Sequence, residues 1–294
     1  MKKSIPLGLL GVAGICLAQA VALPFVRSLE SLQAEQLMVA RGVVTALLAG
    51  FLAFLLYGSL GSLDFRTLAL AVVFPLACLG LYKGIKAWGV SPVIIVVAAT
   101  PLANFLFRWA RGARVPPAAV LSFFLILGGV SLALRVWEIG RISLPGLLWA
   151  LFGTLMNALY YEIISLPIGN AKLQLCFWQA AGVAGFGFLL LPSNPWTSLA
   201  PSDYLLVLVF ALAGGFLYFL ANLVAFENLT TETASVLAQL ETPAVVAGAA
   251  LLVGERLSLP QWAGMALAVL GGMHLVAWLA KLGRKGARPS PAGR

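Results

Sequence analysis

The stretch LETPAVVAGAALLVGE, residues 240–255, would suit a bilayer interior but for an acid and a helix breaker near its start. A carboxylate at Glu241 can bind a substrate ammonium or carry a coupling proton. Its structural alternatives are an ion pair with Arg41 or a protonated, hydrogen-bonded acid in a helix bundle. Pro243 has no N–H to give the carbonyl of Gln239, so a bend and a free acceptor are expected beside Glu241. Arg41 can grip a carboxylate through two parallel hydrogen bonds, or snorkel its head toward the lipid headgroups. Glu255, at the far end of the stretch, reads as architectural, pairing with Arg256 or capping the next turn.

Uncharged polar groups can orient a small zwitterion without trapping it. Candidates are Gln19 and Asn157, each the sole carboxamide of its apolar stretch, with Tyr160 and Tyr161 three and four residues beyond Asn157. Tyr218 and Asn222, four apart, share a helix face; Trp178, Gln179 and Asn104 complete the set. Each alone also serves as an interhelical hydrogen bond of the kind membrane helices use. His274, the one histidine, has no acid on an obvious shared face and reads as a packing residue.

These groups sit in a chain that is 61% hydrophobic and 10% charged over 294 residues, with a mean hydropathy of +0.99. That is far more apolar than a soluble domain. The chain therefore reads as an integral membrane protein, with the lipid bilayer as its first partner. Cys16, Cys78 and Cys176 lie singly in apolar runs, which implies neither a disulfide framework nor a metal site. A net charge of +9 comes from short connections and the C-terminal tail rather than a folded basic face, so nucleic acid is not the expected partner. One histidine and no acids paired at catalytic spacing speak against an enzyme, and no cofactor is implied.

A bilayer core of roughly 30 Å needs about 20 helical residues. Ten spans are predicted, over 5–26, 34–57, 66–86, 90–108, 117–135, 144–165, 173–191, 203–226, 232–253 and 261–281. Glu241 then lies about ten residues, or roughly 15 Å, into the ninth span, near the midplane. With a cytoplasmic N-terminus, twelve of the 19 Lys and Arg fall on the inner side, six on the outer, and Arg41 within a span. This bias predicts both termini inside. The opening MKK, its apolar run and Ala18-Gln19-Ala20 have the parts of a cleaved signal, yet the run is long enough to span and is expected to stay as the first helix.

Sliding the chain on itself by 142 residues aligns Thr100-Pro101 with Thr242-Pro243, Gly112 with Gly254, Arg114 with Arg256 and Gly129 with Gly271. An offset of 138 sets Gln19 on Asn157. The expected architecture is an all-α membrane protein of ten helices in two five-helix halves, residues 1–142 and 143–282, with a basic tail over 283–294. Five is odd, so the second half enters the membrane from the opposite side. Inverted repeats of this kind build transporters whose site lies near the midplane between the halves. Pro101 and Pro243 then belong to the duplicated scaffold, whereas Glu241 answers to Ala99.

The paired stretches 82–101 and 222–243, the run AVVAGAALLVGERLSLPQWAGMALAVLGG that follows, and Gly254-Glu255, Gln261, Gly264 and Gly271-Gly272 within it resemble the EamA repeat of the drug/metabolite transporter superfamily. Arg41 also stands at that family's usual Arg position, which favours a structural anchor. Gly112-Ala113 departs from the Gly-Glu pattern in the first half. The resemblance implies a carrier in the bacterial inner membrane, both termini cytoplasmic, that moves amino acids, related metabolites or drugs, mostly outward. Export of an amino acid or similar small metabolite by alternating access is the expected function. Alternatives are import of a nucleoside-like or other bulky metabolite and broad drug export; oligomeric state is not legible.

Overall fold

The computed structural model describes residues 4–28, 32–140, 142–166, 169–191, 201–252, 254 and 256–286. Glu255, and residues 287–294 of the basic tail, lie outside the described residues. Those described fold into thirteen α-helices: α1 (Ile5–Ser28), α2 (Ala34–Tyr57), α3 (Phe65–Trp88), α4 (Val90–Val97), α5 (Thr100–Ala110), α6 (Pro117–Ala133), α7 (Leu144–Ile164), α8 (Lys172–Leu190), α9 (Pro201–Ala211), α10 (Tyr218–Asn228), α11 (Thr231–Ala238), α12 (Glu241–Leu252) and α13 (Leu259–Gly286). Read end to end, α4 with α5, α9 with α10 and α11 with α12 make single interrupted spans, so ten rods result.

Among the described residues nine rods are long and apolar enough to cross a bilayer. The remaining rod, α6, has 17 residues, about 25 Å of helix, at the lower limit for a span. The sequence predicted it to continue to residue 135. It stops at Ala133 because Arg135 takes a left-handed conformation, φ 52°, and leads into the tight turn Val136–Glu138, where Arg135 pairs with Glu138. Large apolar side chains such as Phe51, Leu189 and Leu251 point outward, as lipid-facing residues do.

Helix ends are set by local chemistry. The Asp64 side chain accepts the Thr67 N–H at 2.7 Å, which caps α3 and holds that exposed carboxyl below the usual carboxylate range. Gln36 and Gln174 do the same work 138 residues apart, their side chains accepting the N–H of Gln33 at 2.6 Å and of Ala171 at 2.9 Å. Gly112 and Gly254, aligned by the 142-residue offset, both take positive φ, 73° and 75°, a conformation that favours glycine.

The helix pairs repeat under one exchange. α2 lies on α8 and α6 on α13; α3 lies on α7, as α10 lies on α1; α3 meets α8, as α9 meets α2. Replacing each rod by the one five places on maps this set of pairs onto itself. Small residues bring the axes together: a Cβ at Gly42 would lie 2.3 Å from the Ala184 nitrogen, at Gly182 2.0 Å from the Ala71 oxygen, and at Gly248 2.1 Å from the Ala20 oxygen.

Three interruptions shape the centre. The fourth rod breaks at Ala98-Ala99, directly before its Thr-Pro, and the ninth at Gln239-Leu240, with Glu241 between the break and its Thr-Pro. In the fourth, the Thr100 hydroxyl donates to the Val97 carbonyl at 2.6 Å, the acceptor that Pro101 leaves without its usual donor. In the ninth, the expected free acceptor is absent: the Gln239 carbonyl receives the Thr242 N–H at 3.2 Å, because the chain tightens into a shorter-range turn there. The eighth rod carries a π-helical segment, Leu212–Leu217. The Ala211 carbonyl at its edge accepts the Thr45 hydroxyl at 3.3 Å, and a Cβ on Gly215 would sit 2.1 Å from that same hydroxyl oxygen.

Candidate functional site

Around these breaks lies a cavity of about 50 Å³. That is several times the roughly 10–15 Å³ one water requires. Its polar lining comes from both halves of the chain: Gln19, Arg41, Cys78 and Tyr82 from the first, Asn157, Tyr218 and Glu241 from the second. Leu23, Phe74, Leu81, Ile94, Val97 and Phe210 supply most of the apolar wall.

Arg41 does not snorkel. It is 4% exposed, and its Nη1 donates to the Tyr82 hydroxyl at 2.9 Å, with the Cys78 sulfur 3.8 Å away. Its guanidinium carbon stands 4.9 Å from the ring centre of Phe219, 5.3 Å from Tyr218 and 5.6 Å from Phe74. A cation held among aromatic faces recovers part of its lost hydration through their quadrupoles, by about 0.5–2 kcal/mol per good contact. Its Nε and Nη2 have no hydrogen-bond partner. The sequence could have hinted at this nest: Cys78 and Tyr82 are four apart on one face of α3.

Glu241 opens α12 halfway along the ninth rod, and its Oε2 is buried without a hydrogen-bond partner. Among the described residues no ion pair joins it to Arg41, although both line the cavity.

The remaining candidates divide. Gln19, Asn157 and Tyr218 reach the cavity; Tyr160, Tyr161, Gln179 and Asn222 are buried in the layer behind it. Tyr161 stacks on Phe226, 4.2 Å between ring centres, and Tyr160 packs on Phe74 at 4.6 Å. The Tyr160 hydroxyl and Gln179 carboxamide stand together without closing a hydrogen bond of good geometry. Asn222 donates to the Tyr218 carbonyl one turn back, at 2.8 Å. Trp178 stands apart: its Nε1 donates to the Leu60 carbonyl at 3.0 Å, at an exposed connection. Adjacent positions on a helix differ by about 100°, so Gln179 and Trp178 face different surroundings. Pro101 and Pro243 each lie in the first turn after a break. His274 meets the Ser122 hydroxyl at 2.9 Å across the α6–α13 contact, a packing role.

One end of the bundle is closed by ion pairs across several rods. Arg108 pairs with Glu232 at 3.0 Å, and Glu232 is 2% exposed. Arg111 pairs with Glu162 at 2.5 Å, Asn104 donates to Glu162 at 3.3 Å, and Lys172 pairs with Glu227 at 2.6 Å. Glu162 and Glu227 are therefore bonded between rods. Toward the other end Lys83 pairs with Glu35. The cavity approaches that second end, through Leu23, Leu81 and Ile94. Among the described residues no group of three or more His, Cys, Asp or Glu side chains gathers as a metal site.

Residues 144–277 match the EamA-like transporter family. A search of curated proteins finds no match. A solved crystal structure is similar at a TM-score of 0.77 over 95% of this chain and 99% of that one; at 17% identity it shares the fold alone. The second half of this multi-pass chain thus carries the EamA-like transporter domain, within a known fold that runs across nearly its whole length.

Proposed function

We propose that the protein is a secondary-active carrier exporting amino acids or related small metabolites by alternating access. It acts in the bacterial inner membrane with both termini cytoplasmic. Residues 1–142 and 143–282 are the inverted halves, and they rock against one another about the cavity. The observation that carries this reading is that cavity: charged and polar side chains from both halves converge at midspan beside two broken helices, where carriers of this architecture hold their solutes. The self-mapping helix pairs and the backbone contacts at Gly42, Gly182 and Gly248 support packing of two related halves. A coupling proton on Glu241 completes the scheme.

Counterflow in liposomes against a panel of labelled amino acids, nucleosides and lipophilic drugs tests it. Exchange of a small metabolite is expected, together with alkylation of Gln19→Cys and Asn157→Cys that changes when solute is added, in a background lacking Cys16, Cys78 and Cys176. If no solute exchanges and both cysteines label identically under all conditions, the carrier reading fails. Exchange confined to nucleosides or drugs would select an alternative cargo.

A further inference from the structure

Arg41 and Glu241 present a mismatch that a ligand would resolve. The guanidinium is always charged, buried, and left with two nitrogens, Nε and Nη2, unused. Glu241 lines the same cavity, and its Oε2 is buried without a hydrogen-bond partner. A buried charge without a counter-ion costs several kcal/mol, and here a fixed cation and an acid share one cavity without an ion pair closing between them. The remaining lining carries no full charge: Gln19, Cys78, Tyr82, Asn157 and Tyr218 are its other polar groups.

We propose that Arg41 and Glu241 set the solute's charge: the cavity receives a dipolar ion of zero net charge, its anionic group on Arg41, its cationic group on Glu241 and a compact apolar body against the wall. The inference rests on the carrier reading and deepens it. A simple anion would satisfy Arg41 but set its charge beside the Glu241 carboxylate, and a simple cation would do the converse at Arg41. Like charges so placed oppose binding strongly. A neutral solute leaves both groups unpaired. When Glu241 is ionised, only a molecule bearing both signs compensates both ends. The body lies among Leu23, Leu81, Ile94 and Phe210, which favours a hydrocarbon side chain over a polar one.

Matched solutes on one carbon skeleton test it in the reconstituted full-length protein. The probes are L-leucine, its decarboxylated amine 3-methylbutylamine and its deaminated acid 4-methylpentanoate, with the corresponding phenylalanine set. Each is scored by inhibition of counterflow and by thermal stabilisation of the purified carrier. The dipolar member of at least one set is expected to act at a concentration at least tenfold below its amine and acid. Glu241→Gln should erase the advantage over the acid, and Arg41→Gln the advantage over the amine. Arg41→Lys and Glu241→Asp, which keep the charges, should retain the dipolar preference and show that the loss is not one of folding. An amine or acid that acts as well as its dipolar parent overturns the proposal, as does discrimination unchanged in both neutral variants. Transport of such a single-charge solute would leave the carrier reading standing; inertness toward every solute removes both.

Discussion

Arg41, in α2, and Glu241, at the start of α12, face one cavity from opposite halves of the chain without an ion pair between them. What keeps Arg41 in place is instead the Tyr82 hydroxyl and three aromatic rings. A cation so held is fixed by its neighbours' shape, leaving its remaining donors for something that comes and goes. Glu241 is placed by the break in the ninth rod, where α11 stops and α12 restarts at Glu241 itself, ahead of Thr242-Pro243.

If Glu241 carries the coupling proton, Glu241→Gln should abolish accumulation driven by a pH gradient while solute exchange continues. Uptake into liposomes with and without an imposed gradient reads both. An unchanged response to the gradient would remove the acid from the coupling step.

Arg41→Lys keeps the charge but loses the planar fork that bonds Tyr82 while lying among the rings. Counterflow should fall about tenfold or more, equivalent to losing one or two cation–aromatic contacts. Tyr82→Phe, which removes one hydrogen bond, should cost less, about two- to tenfold. Equal losses would show that the rings contribute little.

The ion-pair layer predicts a directional effect. Glu232→Gln strands Arg108, whose side chain is 37% exposed, so the penalty shrinks to about 1–2 kcal/mol from the larger cost of a fully buried pair. Asn157→Cys should then label faster from the side bearing Arg108, and the charge-swapped Arg108→Glu, Glu232→Arg protein should slow it again. Labelling that ignores both variants would deny the layer a sealing role.

Much of this arrangement was legible in the residues. The spans follow from apolar runs of bilayer length, and both helix breaks from Thr-Pro recurring 142 residues apart, since a missing N–H acts locally. Arg41 was visible as a charge within a span, with snorkelling left open, but not its nest: Phe74, Tyr218 and Phe219 come from two other rods, and no local pattern joins them. The ending of α6 at Ala133 depends on a left-handed Arg135 that the apolar run does not announce. Trp178 misled because its neighbour Gln179 is buried while its own ring serves a connection.

Close backbone packing makes a sharper test than burial. Gly248→Ala puts a methyl 2.1 Å from the Ala20 oxygen, where only backbone can give, whereas Gly128→Ala meets only the Leu267 side chain at 3.7 Å. The first should lower the melting temperature of the purified protein and stop transport, with overpacking of about 1–3 kcal/mol; the second should do neither. Tolerance of both would mean that α1 and α12 separate freely.

The π-helical segment Leu212–Leu217 acts as a phase adjuster within the eighth rod. On an unbroken α-helix, Phe210 and Tyr218 would point about 80° apart; the wider turns between them rotate less per residue and bring both to the cavity wall. Removing one residue from the segment would rewind it and swing Tyr218 off the Arg41 guanidinium. The aromatic nest is thus timed by a single spare residue in a helix that does not itself carry the charge.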